Sequence, residues 1–205
     1  MSYTQSNIPV RAPPIQSDYE LIDGDPYFGR VVSYFRPSDY LKWGISTAIV
    51  PLGIQLWERL EPSLGKGMKP SPISGTTYRA ATAIGFFGGF FLAYIHSSQR
   101  FLGWSENKRE VTKDRYEIKK LLSQGKLPYH ENESVLDDRN KDIANRNSQY
   151  SSTFLFIMPW FNLAYHPYHQ VNLQRYYETR PGEENWGFNL KPLDEIYAKY
   201  EKKVE

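Results

Sequence analysis

AATAIGFFGGFFLAYIHSSQ, residues 80–99, runs between Arg79 and Arg100 for twenty residues without one formal charge. At about 1.5 Å per residue the two arginines stand about 32 Å apart along a helix, close to the hydrocarbon thickness of a bilayer. Lipid satisfies no backbone amide or carbonyl, and a helix is the one single-segment structure that satisfies its own. The stretch therefore predicts a transmembrane helix over residues 78–100, with Arg79 and Arg100 at its two interfaces and Trp104 just beyond the second.

Within this span Ala81, Gly85, Gly89 and Ala93 recur every fourth residue and form one stripe of minimal side chains. Small residues let another helix approach closely, which in lipid matters more than hydrophobicity because the tails are already apolar. Glycine is also generally frequent in membrane helices, which is the competing explanation. Phe86, Phe87, Phe90, Phe91, Leu92 and Ile95 supply bulk on the remaining faces, so Phe90→Leu is expected to be nearly silent.

A second span is expected over residues 40–60, YLKWGISTAIVPLGIQLWERL. Trp43 and Trp57 lie about 21 Å apart along a helix, where an aromatic belt would place them, and Lys42 can extend to the headgroups. Pro37 marks the boundary, Ser38 or Asp39 can cap the first turn, and Pro51 should kink the middle. The Pro-, Gly- and Ser-rich linker from Glu61 to Thr77 then closes a helical hairpin.

Two spans occupy only about 40 of the 205 residues, and the negative mean hydropathy assigns most of the chain to water or protein contact. The expected fold is mainly α. Residues 1–36 form an extended N-terminal arm, 37–104 the transmembrane hairpin, 105–150 a polar amphipathic helical region, and 151–205 an aromatic interfacial segment and a C-terminal helix. With 25 basic and 23 acidic residues there is no nucleic-acid footprint, and zero cysteines exclude disulfides and cysteine-ligated metal. The first residues lack the apolar core of a secretory signal, and Asp18, Glu20, Asp23 and Asp25 do not suit a cleavable transit peptide, so any organelle address is expected to be internal.

After the hairpin, Ser105 can cap a helix running to Ser123 and ended by Gly125 and Pro128. Lys108, Arg109, Lys113, Arg115, Lys119 and Lys120 make it basic, which suits anionic headgroups. Glu106, Glu110, Asp114 and Glu117 dilute that charge and favour docking on protein instead. The apolar core of residues 151–173 is too short and, with Pro159, too broken to span; Trp160, Phe161, Tyr165 and Tyr168 suit headgroup depth. His166 and His169 lack a third ligand at fitting spacing and point to a structural role. Pro192 begins a last helix whose Leu193, Ile196, Tyr197, Tyr200 and Val204 share a docking face.

No phosphate loop, nucleophile elbow or His-Glu-x-x-His motif occurs, and neither span buries a carboxylate for proton relay. The segment Tyr19-Glu-Leu-Ile-Asp-Gly-Asp-Pro-Tyr27, the run Arg30-Val-Val-Ser-Tyr-Phe-Arg-Pro-Ser-Asp-Tyr40, the hairpin, Met158-Pro-Trp-Phe-Asn162 and His166-Pro-Tyr-His169 resemble an accessory membrane subunit family, of about 21 kDa, of fungal mitochondrial NADH:ubiquinone oxidoreductase (respiratory complex I). The resemblance covers both halves of the chain. It implies a non-catalytic subunit of the inner mitochondrial membrane, with no catalytic, cofactor-binding or metal-binding residues to carry over. FMN, iron–sulfur clusters and ubiquinone would sit elsewhere in the complex. The implied partners are other membrane-arm subunits in a hetero-oligomer and membrane lipids, with cardiolipin as a candidate structural phospholipid, and no nucleic acid.

Two readings from other classes compete: a self-associating transporter or channel joined through the glycine stripe, and a membrane-shaping or tethering hairpin using the basic helix. Three Lys and Arg residues flank the first span, four lie in the loop and seven follow the second span. Ten against four favours both termini in the matrix, and the reverse orientation stays open because the rule is weaker for imported proteins.

Overall fold

A computed structural model of the chain describes residues 17–61, 67, 72–128, 139, 163, 169 and 171–201. These residues are mainly helical, and no strand occurs among them. The α-helices are α1 (Phe28–Ser33), α2 (Pro37–Leu60), α3 (Gly75–Phe101), α4 (Lys108–Ser123) and α5 (Leu193–Glu201), with 3-10 turns at Leu173–Tyr176 and Glu184–Trp186. They divide into two compact units, Val32–Ser97 and the pair Met1–Val31 with Ser98–Glu205.

The first unit holds α2 and most of α3. Pro37 presets the first turn of α2 after an extended Arg36, and the Asp39 carboxylate reaches back to accept the Arg36 N–H at 2.7 Å. Of the two expected caps, Asp39 is thus the one in place, as the far half of a capping box. The helix continues through Pro51 to Leu60. At the start of α3, Ser74 Oγ accepts the Thr77 N–H at 3.1 Å.

Where α2 meets α3 the small-residue stripe lies in the seam. Ala81 and Ala93 are 2% and 0% exposed, and Gly85 and Gly89 are buried. A Cβ on Gly85 would lie 2.7 Å from the Ser46 carbonyl oxygen, and one on Gly89 would lie 2.8 Å from Ser46 Cβ and 2.9 Å from the Trp43 carbonyl oxygen. Both contacts are closer than carbon tolerates, so the approach of the two backbones depends on glycine. Trp43 closes the same seam: its Nε1–H donates to the Phe86 carbonyl at 2.9 Å, and its ring stands 5.0 Å from Phe86 and 5.3 Å from Phe90. Phe90 also meets Phe35 and Tyr94 at 6.2 Å, so it belongs to the packed seam and not to a separate face.

Among the described residues α3 alone is long and apolar enough to cross a membrane. Lys42, Gln55, Glu58 and Arg59 lower the hydropathy of α2 below that mark. The geometry is thus a packed helix pair of which one member has the composition of a span.

In the second unit, α4 turns Ile118 and Leu122 onto Leu127, Val171, Leu173, Tyr176 and Ile196, with Leu193, Tyr197 and Tyr200 packed around them. Val204 lies outside the described residues. The helix ends as expected at Gly125, whose φ of +67° suits glycine: Lys126 N–H donates to Leu121 O and Gly125 N–H to Leu122 O, both at 3.0 Å. Its start differs from the expected Ser105. The helix begins at Lys108 after Asn107, and the Glu106 carboxylate accepts the Lys108 N–H at 2.9 Å. The arm differs as well, since residues 28–33 coil into α1. Val31 is fully buried, and tertiary contacts here override a proline-flanked sequence that reads as extended.

Gly89→Leu should lower the thermal midpoint of the detergent-solubilised chain by about 3–10 °C through overpacking, read by circular dichroism. Ile84→Leu, on the exposed side of α3, should shift it by less than about 1 °C. Equal midpoints for the two variants would refute glycine dependence of the seam.

Candidate functional site

The described part of the arm, from Ser17, is threaded through the second unit by its backbone. Ile22 and Asp23 N–H groups donate to the Phe101 carbonyl at 2.9 and 3.2 Å, Tyr19 N–H to Gly103 O at 3.1 Å, and Gly24 N–H to His169 O at 2.9 Å. Gly103 has φ +72°, and a Cβ there would lie 2.5 Å from the Tyr19 carbonyl oxygen, so only glycine admits the arm at this point. Asn107 spans both sides of the crossing, donating from Nδ2 to Glu20 O at 2.7 Å and to Arg100 O at 2.8 Å. Asn107 makes no side-chain cap on α4.

Around the arm lies a cluster of buried charges. Asp23 is 0% exposed and faces Arg30 at 2.9 Å and His169 Nδ1 at 2.7 Å, while the Asp25 N–H donates to it at 3.0 Å. Arg30 also pairs with Asp114 of α4, which accepts the Tyr176 hydroxyl proton at 2.7 Å. Arg175 donates to the carbonyls of Leu21 and Ile22 and to Tyr176 Oη, and its guanidinium stands 4.8 Å from the Tyr176 ring centre. Arg180 clasps Glu20 with two bonds, at 2.6 and 3.0 Å.

A second knot lies on the next turn of α4. Glu183 accepts from Arg115 Nε and Nη2, from Lys119 Nζ at 2.7 Å and from the Arg180 N–H at 3.1 Å. Arg115 and Lys119 use their remaining donors on the Arg175 and Glu178 carbonyls. These two residues, counted among the charges of the basic helix, are 2% and 5% exposed and turned into protein, in line with the expectation that this helix docks on protein. Their reason is Glu183, whose carboxylate no spacing rule on α4 reveals.

Environment sets the ionisation of the three central carboxylates in different directions. Burial opposes charge on Asp23, but His169, Arg30 and the Asp25 amide outweigh it and lower its pKa. At Asp114 burial prevails over Arg30, Tyr176 and Arg175, and the pKa is raised. Burial at Glu183 is overcome by Arg115, Lys119 and the Arg180 amide, which bring its pKa from 4.5 to about 2. Every carboxylate in the cluster is met by cations or donors of the same unit, an arrangement that clasps chain segments together. No group of three His, Cys, Asp or Glu side chains with metal-site geometry occurs among the described residues.

Of the residues expected at membrane interfaces, Lys42, Trp57 and Arg79 are exposed and Trp43 sits in the α2–α3 seam. Arg100 is 5% exposed, with Nε 3.4 Å from Glu110, and Trp104 is half-buried. Trp160, His166 and the expected interfacial segment lie outside the described residues apart from Leu163, which is exposed, the buried His169, and 171–173, of which Val171 and Leu173 are buried in the core. The clasp itself escaped the sequence reading. Its one available signal was the match between an acidic arm (Glu20, Asp23, Asp25) and the basic pair Arg175 and Arg180 some 150 residues away.

A family model described as NADH-ubiquinone oxidoreductase complex I, 21 kDa subunit, matches residues 16–106. One described as the C-terminal of NADH-ubiquinone oxidoreductase 21 kDa subunit matches residues 115–203. The chain is 39% identical over 184 residues to the NADH-ubiquinone oxidoreductase 20.9 kDa subunit of Neurospora crassa, covering 89% of this chain and 94% of that one.

A lowered Glu183 pKa means stability that is fully present above the ordinary value of 4.5 and lost as pH falls toward about 2. Glu183→Gln leaves Arg115 and Lys119 buried without their anion, so it should cost about 3–5 kcal/mol at pH 7. It should also flatten the decline in thermal midpoint between pH 4.5 and 2.5 that the unmodified chain shows. A variant as stable as the parent at pH 7 would remove the knot from the account.

Proposed function

Because the chain belongs to the family of the 21 kDa subunit of NADH-ubiquinone oxidoreductase, respiratory complex I, we propose that it acts there as a fastener, a membrane-embedded helix pair carrying a clasped polar unit. It is an accessory subunit of complex I and is not itself catalytic; it associates with other subunits of the complex at the mitochondrial inner membrane. FMN, iron–sulfur clusters and ubiquinone are then the business of other subunits in the complex.

The observation that carries the membrane placement is the outward surface of the helix pair. On α2, Leu41, Ile45, Ile49, Leu52, Leu56 and Leu60 are 54–76% exposed, and on α3 Ile84, Phe87 and Leu92 are 51–67% exposed. Apolar surface of this extent on both helices suits lipid or neighbouring subunits, and it supports a second span in α2 despite that helix's charged ends. In this reading Trp57 and Arg79 lie at an interface, Lys42, next to the Trp43 that packs on Gly89 midway along α3, does not, and the Ala81, Gly85, Gly89 and Ala93 stripe fixes α2 to α3. The charge bias of the flanking segments supports both termini in the matrix. Phospholipid, cardiolipin included, fills the grooves that neighbours leave.

The channel reading loses its main support here, because the stripe on which self-association would depend is occupied by α2 of the same chain. Native electrophoresis of mild-detergent mitochondrial extracts tests the proposal. The chain should migrate with an assembly many times its mass, and Arg175→Ala with Arg180→Ala, which frees the arm, should shift most of it to a free or partly assembled form. A double variant found wholly in the large assembly would show that the clasp is dispensable for assembly. An unmodified chain found only as small homo-oligomers would favour the channel. Protease added to mitoplasts should spare the C-terminal region; its digestion while matrix markers survive would reverse the orientation.

A further inference from the structure

We propose that the outward face of α4, together with Trp186 and Phe188, is a docking surface for anionic phospholipid. By composition α4 and its lead-in are diluted with acid, but the structure removes two of those four carboxylates, Glu110 and Asp114, from the surface. Glu110 is 3% exposed against Arg100, Asp114 is 1% exposed against Arg30, and Glu106 caps the helix start. The cations left outside are Lys108, Arg109, Lys113 and Lys120, four against the two carboxylates Glu106, bonded to the Lys108 N–H, and Glu117, 3.8 Å from Lys113.

Arg109, Lys113, Tyr116 and Lys120 follow at intervals of four, three and four residues and so share one line along the helix. Tyr116 is 43% exposed and stands edge-on to Trp186 at 5.3 Å and to Phe188 at 5.2 Å. Half-exposed aromatic bodies beside extended cations are the chemistry of a headgroup layer, where rings rest at carbonyl depth and cations meet phosphate. The lead-in of α4 is also bonded to the residues that end α3, which belong to the same unit. Trp104 N–H donates to Gln99 O at 2.9 Å and Asn107 Nδ2 to Arg100 O at 2.8 Å, which tie the lead-in of α4 to the last turn of α3. The inference rests on the reading of α3 as a membrane span.

The chain has no cysteine, so Thr112→Cys, at an exposed position of α4, places one spin label beside the face in the full-length protein. The protein is reconstituted in nanodiscs of phosphatidylcholine alone and with about 20 mol% cardiolipin, and label accessibility to a water-soluble nickel chelate is compared. Cardiolipin should reduce accessibility severalfold, and 0.5 M salt or the triple change Arg109→Gln, Lys113→Gln, Lys120→Gln should reverse it, each charge counting for about fivefold in partitioning. A label at Ile84→Cys, read by oxygen against nickel, reports separately whether α3 lies in lipid, so failure of the span and failure of the face are distinguishable. Equal accessibility in both discs, or protection that survives the triple change, overturns the proposal. Protection seen only in the assembled complex overturns it in favour of an acidic protein surface.

Discussion

One guanidinium between two buried carboxylates holds the polar unit together. Asp23 and Asp114 have almost no exposure, and two anions in such a place repel each other and lack hydration. Arg30 bonds to both. It sits in α1, Asp23 in the arm and Asp114 in α4, while Tyr176 and Arg175 bring the C-terminal 3-10 turn to the same point. The opposite pKa directions at the two carboxylates show how the compensation is distributed: at Asp23, His169, Arg30 and an amide outweigh burial, whereas at Asp114 burial outweighs Arg30, Tyr176 and Arg175. Replacing Arg30 by a neutral residue would therefore leave Asp114 the less tolerable charge, and protonation there is the least costly relief.

That arrangement joins the arm to the C-terminal half of the sequence within one compact unit. The family models divide the chain between residues 106 and 115, yet the arm of the first half receives hydrogen bonds from Arg175 and Arg180 of the second, and Asp114 in the interval between them pairs with Arg30. Two segments about 150 residues apart close on each other through backbone carbonyls. Carbonyls carry no residue identity, so Arg175 can recognise the path of the arm as much as its sequence.

The helices were legible because hydrophobic periodicity and terminators act locally. The charge-free run of α3, Pro37 before α2, Gly125 after α4 and Pro192 before α5 each mark an element through backbone chemistry alone. The stripe of Ala81, Gly85, Gly89 and Ala93 was legible as a packing surface, but a periodic stripe does not name its partner, and here the adjoining surface is α2. The charges of α4 were the least legible part. Arg115 and Lys113 look alike in composition, and only Glu183 distinguishes them, from 68 residues away, by accepting from the inward one. Helix α1 was hidden for a similar reason: its short length gives no period, and long-range partners of Arg30 and the burial of Val31 stabilise it.

Internal use of the small-residue seam determines what remains for neighbours. In lipid, apolar side chains gain little by leaving one hydrocarbon environment for another, so helices associate where backbones approach closely or polar groups meet. Gly85 and Gly89 already have their close approach within the chain, and the outward surfaces of α2 and α3 carry bulky leucine, isoleucine and phenylalanine side chains. On the proposed membrane placement such surfaces hold neighbours at ordinary side-chain distance and leave room for acyl chains between helices. On the same placement, specific attachment to the rest of the complex would fall to the polar unit, whose shape is held by directional bonds that buried, low-dielectric surroundings strengthen. On that placement a subunit built this way would enter the assembly with its helix pair already formed, and the clasp around the arm would hold its polar surfaces in one arrangement.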